Sequence, residues 1–246
     1  MDKTLFYIGG TKGGVGKSFV SMALIDFLIT RYGKEQVLLI ETDYTNPDVA
    51  RIYSEKVSTE TIALDDDETS WMTLARTVYA NQDKLMVLNS AKGNSGIRQF
   101  GKMFQSSLED SFINLVTFWP MNRQLDSVEH LLEYIKIVSY GEIFPIRNNY
   151  YGSPSDFIIF DDKLTNSKDK DIFLSRFPRD NVLDFPSLND LFTLKIYSER
   201  IAIENMSEHL IFFERALFNS WREVVSNMFE STGLFEFGMN DSDEGK

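Results

Sequence analysis

The chain has 246 residues, 43% of them hydrophobic and 13% aromatic, a composition that buries the core of one α/β domain and excludes wholesale disorder. Its 25 Lys and Arg face 37 Asp and Glu, a formal net charge of -12. That balance disfavours a broad electrostatic grip on nucleic acid or anionic lipid, and leaves room for a local basic patch. With no cysteine, disulfides, thiolate metal sites and cysteine-held iron–sulfur clusters are excluded as well.

Residues 3–9 (KTLFYIG) read as a short buried strand, and 17–32 as a helix closed by Gly33 at its C′ position. Residues 36–41 (QVLLIE) form a second continuous apolar run, the pattern of a parallel strand covered on both faces. Together they make a βαβ unit with an expected right-handed crossover. Further strands are predicted at 84–89, 112–118, 142–147, 156–160 and 181–185, separated by helices at 69–81, 96–108 and 123–139. Asn122 is the candidate N-cap of the last of these.

The segments 54–68 and 163–180 are charged and expected to be flexible loops. From 187 onward the chain reads as mainly helical, above all 207–230, and 240–246 as a polar, acidic, frayed tail. The alternation predicts a single-domain, doubly wound, mostly parallel sheet flanked by helices over residues 1–239. No apolar run of about 18 residues is long enough to span a bilayer. The strand at the start, with no signal-like segment before it, predicts a cytoplasmic protein.

Between the first strand and the first helix lies GGTKGGVGKS, residues 9–18. Gly13, Gly14 and Gly16 let the backbone wrap closely round phosphates, because they tolerate positive φ and carry no Cβ. The N–H groups from Gly13 through Val15, Lys17 and Ser18 to Phe19 then point at the anion, aided by the helix N-terminus. Lys17 is placed to reach the β and γ phosphates of a nucleotide, and the Ser18 hydroxyl to coordinate Mg²⁺. Thr11 stands where the general phosphate-loop pattern has Gly, and Lys12 adds a second lysine. A glycine-rich turn with a solvated lysine is the bland alternative.

The run KGGVGKS resembles the deviant Walker A loop of the ParA/MinD family of ATPases. That resemblance implies a P-loop NTPase fold, ATP and Mg²⁺ as cofactors, and catalytic roles for Lys12, Lys17 and Asp43. In that family the lysine matching Lys12 reaches across a nucleotide-sandwich dimer to the partner's phosphates. VLLIETDYTNPD resembles the family's switch I motif, an apolar strand followed by D-x-D. Asp43 then falls on the position that orients the attacking water, and Glu41 on the first acidic position, near the Mg²⁺ shell. MVLNSAKG at 86–93 lines up with the Walker B segment, with Asn89 in place of Asp and Ala91 in place of Pro. Asn89 brings no charge to a cation, so the resemblance implies slow hydrolysis, or a substitute carboxylate. Asp161 and Asp162, after DFIIF, are the alternative Walker B.

IFPIRNNYYG resembles the family strand that ends at the adenine, which makes Asn148 the candidate there, with Asn149 beside it. Two turn asparagines are the other reading. The runs WPMNRQLDSVEHL and NNYYG resemble plasmid-carried ParA-like proteins of the StbB stability and conjugation type.

The function implied is an ATP-dependent homodimeric switch in plasmid partition, stability or conjugative DNA transfer. It would act with a protein partner, an adaptor or a centromere-binding or relaxase-type protein. DNA would be reached through that partner or a basic patch at Arg200, Arg215 and Arg222. Two alternatives stand beside it. One is a nucleotide-dependent binding module with little or no hydrolysis. The other is a MinD-like ATPase whose helix at 208–229 lies on a membrane, which Glu208, Glu214, Glu223 and Glu230 on its polar face disfavour.

Overall fold

The computed structural model describes residues 3–10, 12–93 and 96–235; Thr11 and the 240–246 tail lie outside the described residues. Strands β1 (Thr4–Ile8), β2 (Val37–Glu41), β3 (Ser58–Thr61), β4 (Leu85–Asn89), β5 (Asn114–Met121), β6 (Glu142–Asn148) and β7 (Leu183–Phe185) form one sheet. Its order is β3-β2-β4-β1-β5-β6-β7, and every neighbouring pair is parallel. The chain leaves β1 for β2 on one side and later returns to β5 on the other. The strand order therefore reverses at β1, and a crevice opens beyond the carboxyl ends of the central strands.

Alternate residues of each strand feed two apolar layers. On one face Phe6, Ile8, Leu39 and Val87 pack under α1 (Lys17–Tyr32), α8 (Asp190–Glu199) and α9 (Phe212–Glu230). On the other, Leu5, Ile40, Met86 and Leu115 lie under five helices. These are α3 (Glu68–Ala80), α4 (Gly96–Asp110), α5 (Leu125–Ile137), α6 (Ile158–Thr165) and α7 (Lys170–Arg176). The central β2 and β4 are buried at every position, which is why their sequences show no polar alternation.

Several local expectations are corrected. Residues 156–160 are no strand: Ser153 and Asp156 cap a 3-10 turn that runs into α6. Phe157 and Phe160 are buried three residues apart while Ile158 stays exposed, a helical period inside a short apolar run. The 54–68 segment contains the edge strand β3, whose sequence STET is too polar to announce itself. The 163–180 segment contains α7. The last long helix starts at Phe212, after a 3-10 stretch over Ile203–His209. The N-cap of α5 is Gln124; Asn122 sits just outside and accepts from Gln124 N–H at 3.0 Å and the Ser127 hydroxyl at 2.7 Å.

Helix α9 buries Phe218, Trp221, Val225, Met228 and Phe229 in the core, while Ile211, Phe213, Leu217 and Val224 of the same segment stay exposed. Among the described residues no helix is long and apolar enough to cross a membrane. Arg222 of α9 forks onto both carboxylate oxygens of Asp26 in α1, at 3.0 and 2.8 Å. Burial pushes the Asp26 carboxyl above its ordinary range, with Arg222 opposing the shift. Arg222→Ala strands that carboxylate in a dry site and is expected to cost about 2 kcal/mol in urea denaturation. An unchanged midpoint would show that the fork contributes nothing.

Candidate nucleotide-binding site

A cleft of 390 Å³ opens where β1 hands the chain to α1. The turn needs its glycines. Gly14 has φ 71 and Gly16 φ 101, and a Cβ on Gly16 would lie 2.3 Å from Asn148 Nδ2. Gly16 is also the N-cap of α1 and provides no side-chain cap, so the first backbone donors of the helix remain available to an anion.

Lys17 is buried, and its Nζ donates to the Lys12 carbonyl at 2.8 Å. Burial pushes its pKa down to about 8; Asp43 opposes the fall and Lys92 adds to it. A lysine kept dry in this way gains most when a phosphate arrives. Ser18, Phe19, Gly13 and Gly14 line the same cleft, while Val15 is buried behind the loop.

Asp43 lines the cleft, its Oδ1 accepting from the Thr45 hydroxyl at 2.7 Å and the Asn46 N–H at 3.0 Å. Glu41 and Asn89 do not line it. They are register partners on β2 and β4, and both are essentially inaccessible. Asn89 Nδ2 donates to Glu41 Oε1 at 2.9 Å, and Asn89 Oδ1 accepts from the Ser21 hydroxyl at 2.9 Å. Glu41 also accepts the Asp43 N–H at 3.0 Å and the Ala50 N–H at 3.4 Å. Burial raises the Glu41 carboxyl, and these hydrogen bonds oppose the shift, Asn89 most.

Glu41 and Asn89 thus form a structural pin between two strands and the start of α2 (Asp48–Tyr53). Asn89 Oδ1 is taken by the Ser21 hydroxyl and the Glu41 carboxylate by Asn89 and two backbone N–H groups, and neither side chain faces the cleft where Mg²⁺ is expected. Of the three donors expected for that ion, Ser18 alone faces the cleft. Among the described residues, no group of three or more His, Cys, Asp or Glu is arranged to hold a metal ion.

Asn148 does reach the cleft, but as a brace as well as a wall. Its Nδ2 donates to the Val15 carbonyl at 3.0 Å, and its Oδ1 accepts from Tyr150 N–H at 3.1 Å. The Tyr151 hydroxyl donates to the Gly14 carbonyl, a second tie on the loop. Lys12 does not line the cleft: its ammonium is held by Gln124 and Asp126 at the start of α5. Asp161 takes no part in this arrangement, lying in the first turn of α6 and 3.5 Å from Arg147, so it is no substitute Walker B residue. Of the arginines considered for a basic patch, Arg222 turns inward onto Asp26 and Arg215 donates to the Leu210 carbonyl.

Sequence reasoning missed Lys92, Tyr151 and the β7–α8 wall formed by Pro186, Ser187 and Leu188. Only Lys92 had a readable signal, a lysine beside Gly93 in the segment after β4.

Sheet order and phosphate loop together give the chain the fold of a P-loop protein. No family model matches it. It is 35% identical over 232 residues to Protein MobD of Acidithiobacillus ferrooxidans, covering 94% of this chain and 98% of that one, and it belongs to the family of that protein. Solved structures share the fold. The pnob8 ParA structure, at 13% identity, superposes with a TM-score of 0.55 over 94% of this chain and 100% of its own. An ATP complex of a Cyanothece McdA variant, at 12% identity, gives 0.51 over 94% and 96%.

Proposed function

We propose that the chain is an ATP-dependent dimeric switch, serving plasmid partition, stability or conjugative DNA transfer. ATP is bound with its phosphates on the N–H groups of residues 13–19 and on Lys17. Asp43 is the cleft carboxylate available to orient an attacking water. The dimer acts with a protein partner, an adaptor or a centromere-binding or relaxase-type protein, through which DNA is reached. The observation that carries this reading is Lys12. It belongs to the phosphate loop, yet its ammonium is parked on Gln124 and Asp126 instead of in its own cleft. A loop lysine held outside its own cleft serves the phosphates of a second copy once Gln124 and Asp126 release it.

Lys12→Ala tests it. Nucleotide affinity by calorimetry should stay within about threefold, while the ATP-dependent rise in mass by light scattering is lost; about tenfold is worth 1.4 kcal/mol, and one trans contact supplies that much. Loss of monomer affinity with dimerisation intact would reverse the assignment. A second reading, a binding module with little or no hydrolysis, is favoured by the Glu41–Asn89 pin, which takes two expected catalytic-site groups out of the cleft.

A further inference from the structure

The cleft has an anomaly of charge. The end of β4, where a carboxylate is expected, presents a neutral Asn89 turned away from the cleft, and the turn after it a lysine turned towards it. Lys92 lines the cavity beside Lys17 and Ser18. Its side chain lies across the bare face of the phosphate loop: its Cδ is 3.6 Å, and its Cβ 3.9 Å, from where a Cβ on Gly13 would sit. Gly13 thus leaves room both for a phosphate and for the lysine stem that crosses it.

We propose that Lys92 is a phosphate-binding residue of this cleft, supplying in cis the positive charge that lets it hold a nucleoside triphosphate without a divalent cation. The proposal rests on the nucleotide-binding reading of the same cleft. Three observations converge on it. Lys92 and Lys17 are near enough to feel one another: Lys92 helps to depress Lys17, behind the larger effect of burial. A pair of unlike origin, one at the start of α1 and one in the turn after β4, brackets an anion from two sides. Among the described residues Lys92 has no ion-pair partner, whereas Lys12 is bound to Asp126. Two of the three residues expected to hold Mg²⁺, Glu41 and Asn89, are spent on a structural pin and only Ser18 faces the cleft, so the cleft has fewer cation ligands and a cation of its own. Lysine is suited to the exchange, being a mobile point charge with three donors that follows a phosphate without fixed geometry.

Calorimetric titration of the full chain with ATP, in excess EDTA and in Mg²⁺, tests the proposal. Wild type is expected to bind in EDTA within about tenfold of its Mg²⁺ affinity. Lys92→Gln should weaken binding in EDTA by about tenfold to thirtyfold, the scale of one charge-assisted hydrogen bond, and by less in Mg²⁺. Lys92→Arg should restore most of the loss, which a merely structural role would not predict. Lys92 is exposed, so both variants are expected to melt at the wild-type temperature, which thermal denaturation checks.

Wild-type binding that requires Mg²⁺, or Lys92→Gln binding unchanged in EDTA, overturns the proposal while leaving the nucleotide site standing. Failure of wild type to bind ATP under either condition overturns the nucleotide reading too.

Discussion

Lys17→Ala is expected to weaken ATP binding at least about 100-fold, close to 3 kcal/mol. The size follows from the site. Lys17 Nζ is already desolvated and rests on the Lys12 carbonyl, so an arriving phosphate finds a cation whose water has been removed in advance. The truncation removes that charge, leaving only the N–H groups of the loop. The same burial gives a pH signature. With its pKa lowered to about 8, unliganded Lys17 sheds its proton as pH rises past that value, and phosphate binding must restore it. Wild-type affinity should therefore fall above pH 8, by up to about tenfold per unit, with proton uptake on binding. The Lys17→Ala variant should show neither. Equal affinity of variant and wild type in calorimetry would remove the cleft as the nucleotide site.

Asn89→Asp should destabilise the fold by about 3–5 kcal/mol near neutral pH, although it restores the residue the family pattern expects. In the present structure the Asn89 amide donates to Glu41 Oε1 at 2.9 Å with both side chains inaccessible. An aspartate there sets two carboxylates face to face in a dry site, where both cannot ionise. The folded variant then holds a proton that the unfolded chain releases at lower pH. Its stability accordingly falls as pH rises through and above the ordinary carboxylate range, and acid relieves the defect. Urea denaturation at pH 5 and pH 8 reads this directly: the deficit should be larger at pH 8. Equal stability of the two proteins at both values would mean that Asn89 and Glu41 are not paired in solution.

These two residues also show what the sequence carries and what it does not. The loop 9–18 was legible because a phosphate-binding turn constrains residue type at nearly every position, and β1, β2 and β4 because strands covered on both faces must be apolar throughout. The doubly wound sheet follows from that alternation. Glu41 and Asn89 were legible as motif positions, but not as partners: their contact depends on the β2–β4 register, which pairs residues 48 apart. The edge strand β3 was hidden because its side chains are exposed or half-exposed, so no burial enforces apolar residues there. At 157–160 a run of four apolar residues carries no period of its own; the packing of Phe157 and Phe160 decides for a helix. Asn148 was found through the motif, yet its brace on the Val15 carbonyl needs two segments 133 residues apart. Lys92 was in plain view, and only its position across Gly13 gives it a role.

On the proposed function, nucleotide identity sets the assembly state of this chain, with Lys12 released from Gln124 and Asp126 to serve a second copy. Light scattering of the wild-type chain with ATP and with ADP tests it most directly. Monomer mass is expected with ADP and twice that mass with ATP. A mass that is the same with either nucleotide would contradict it.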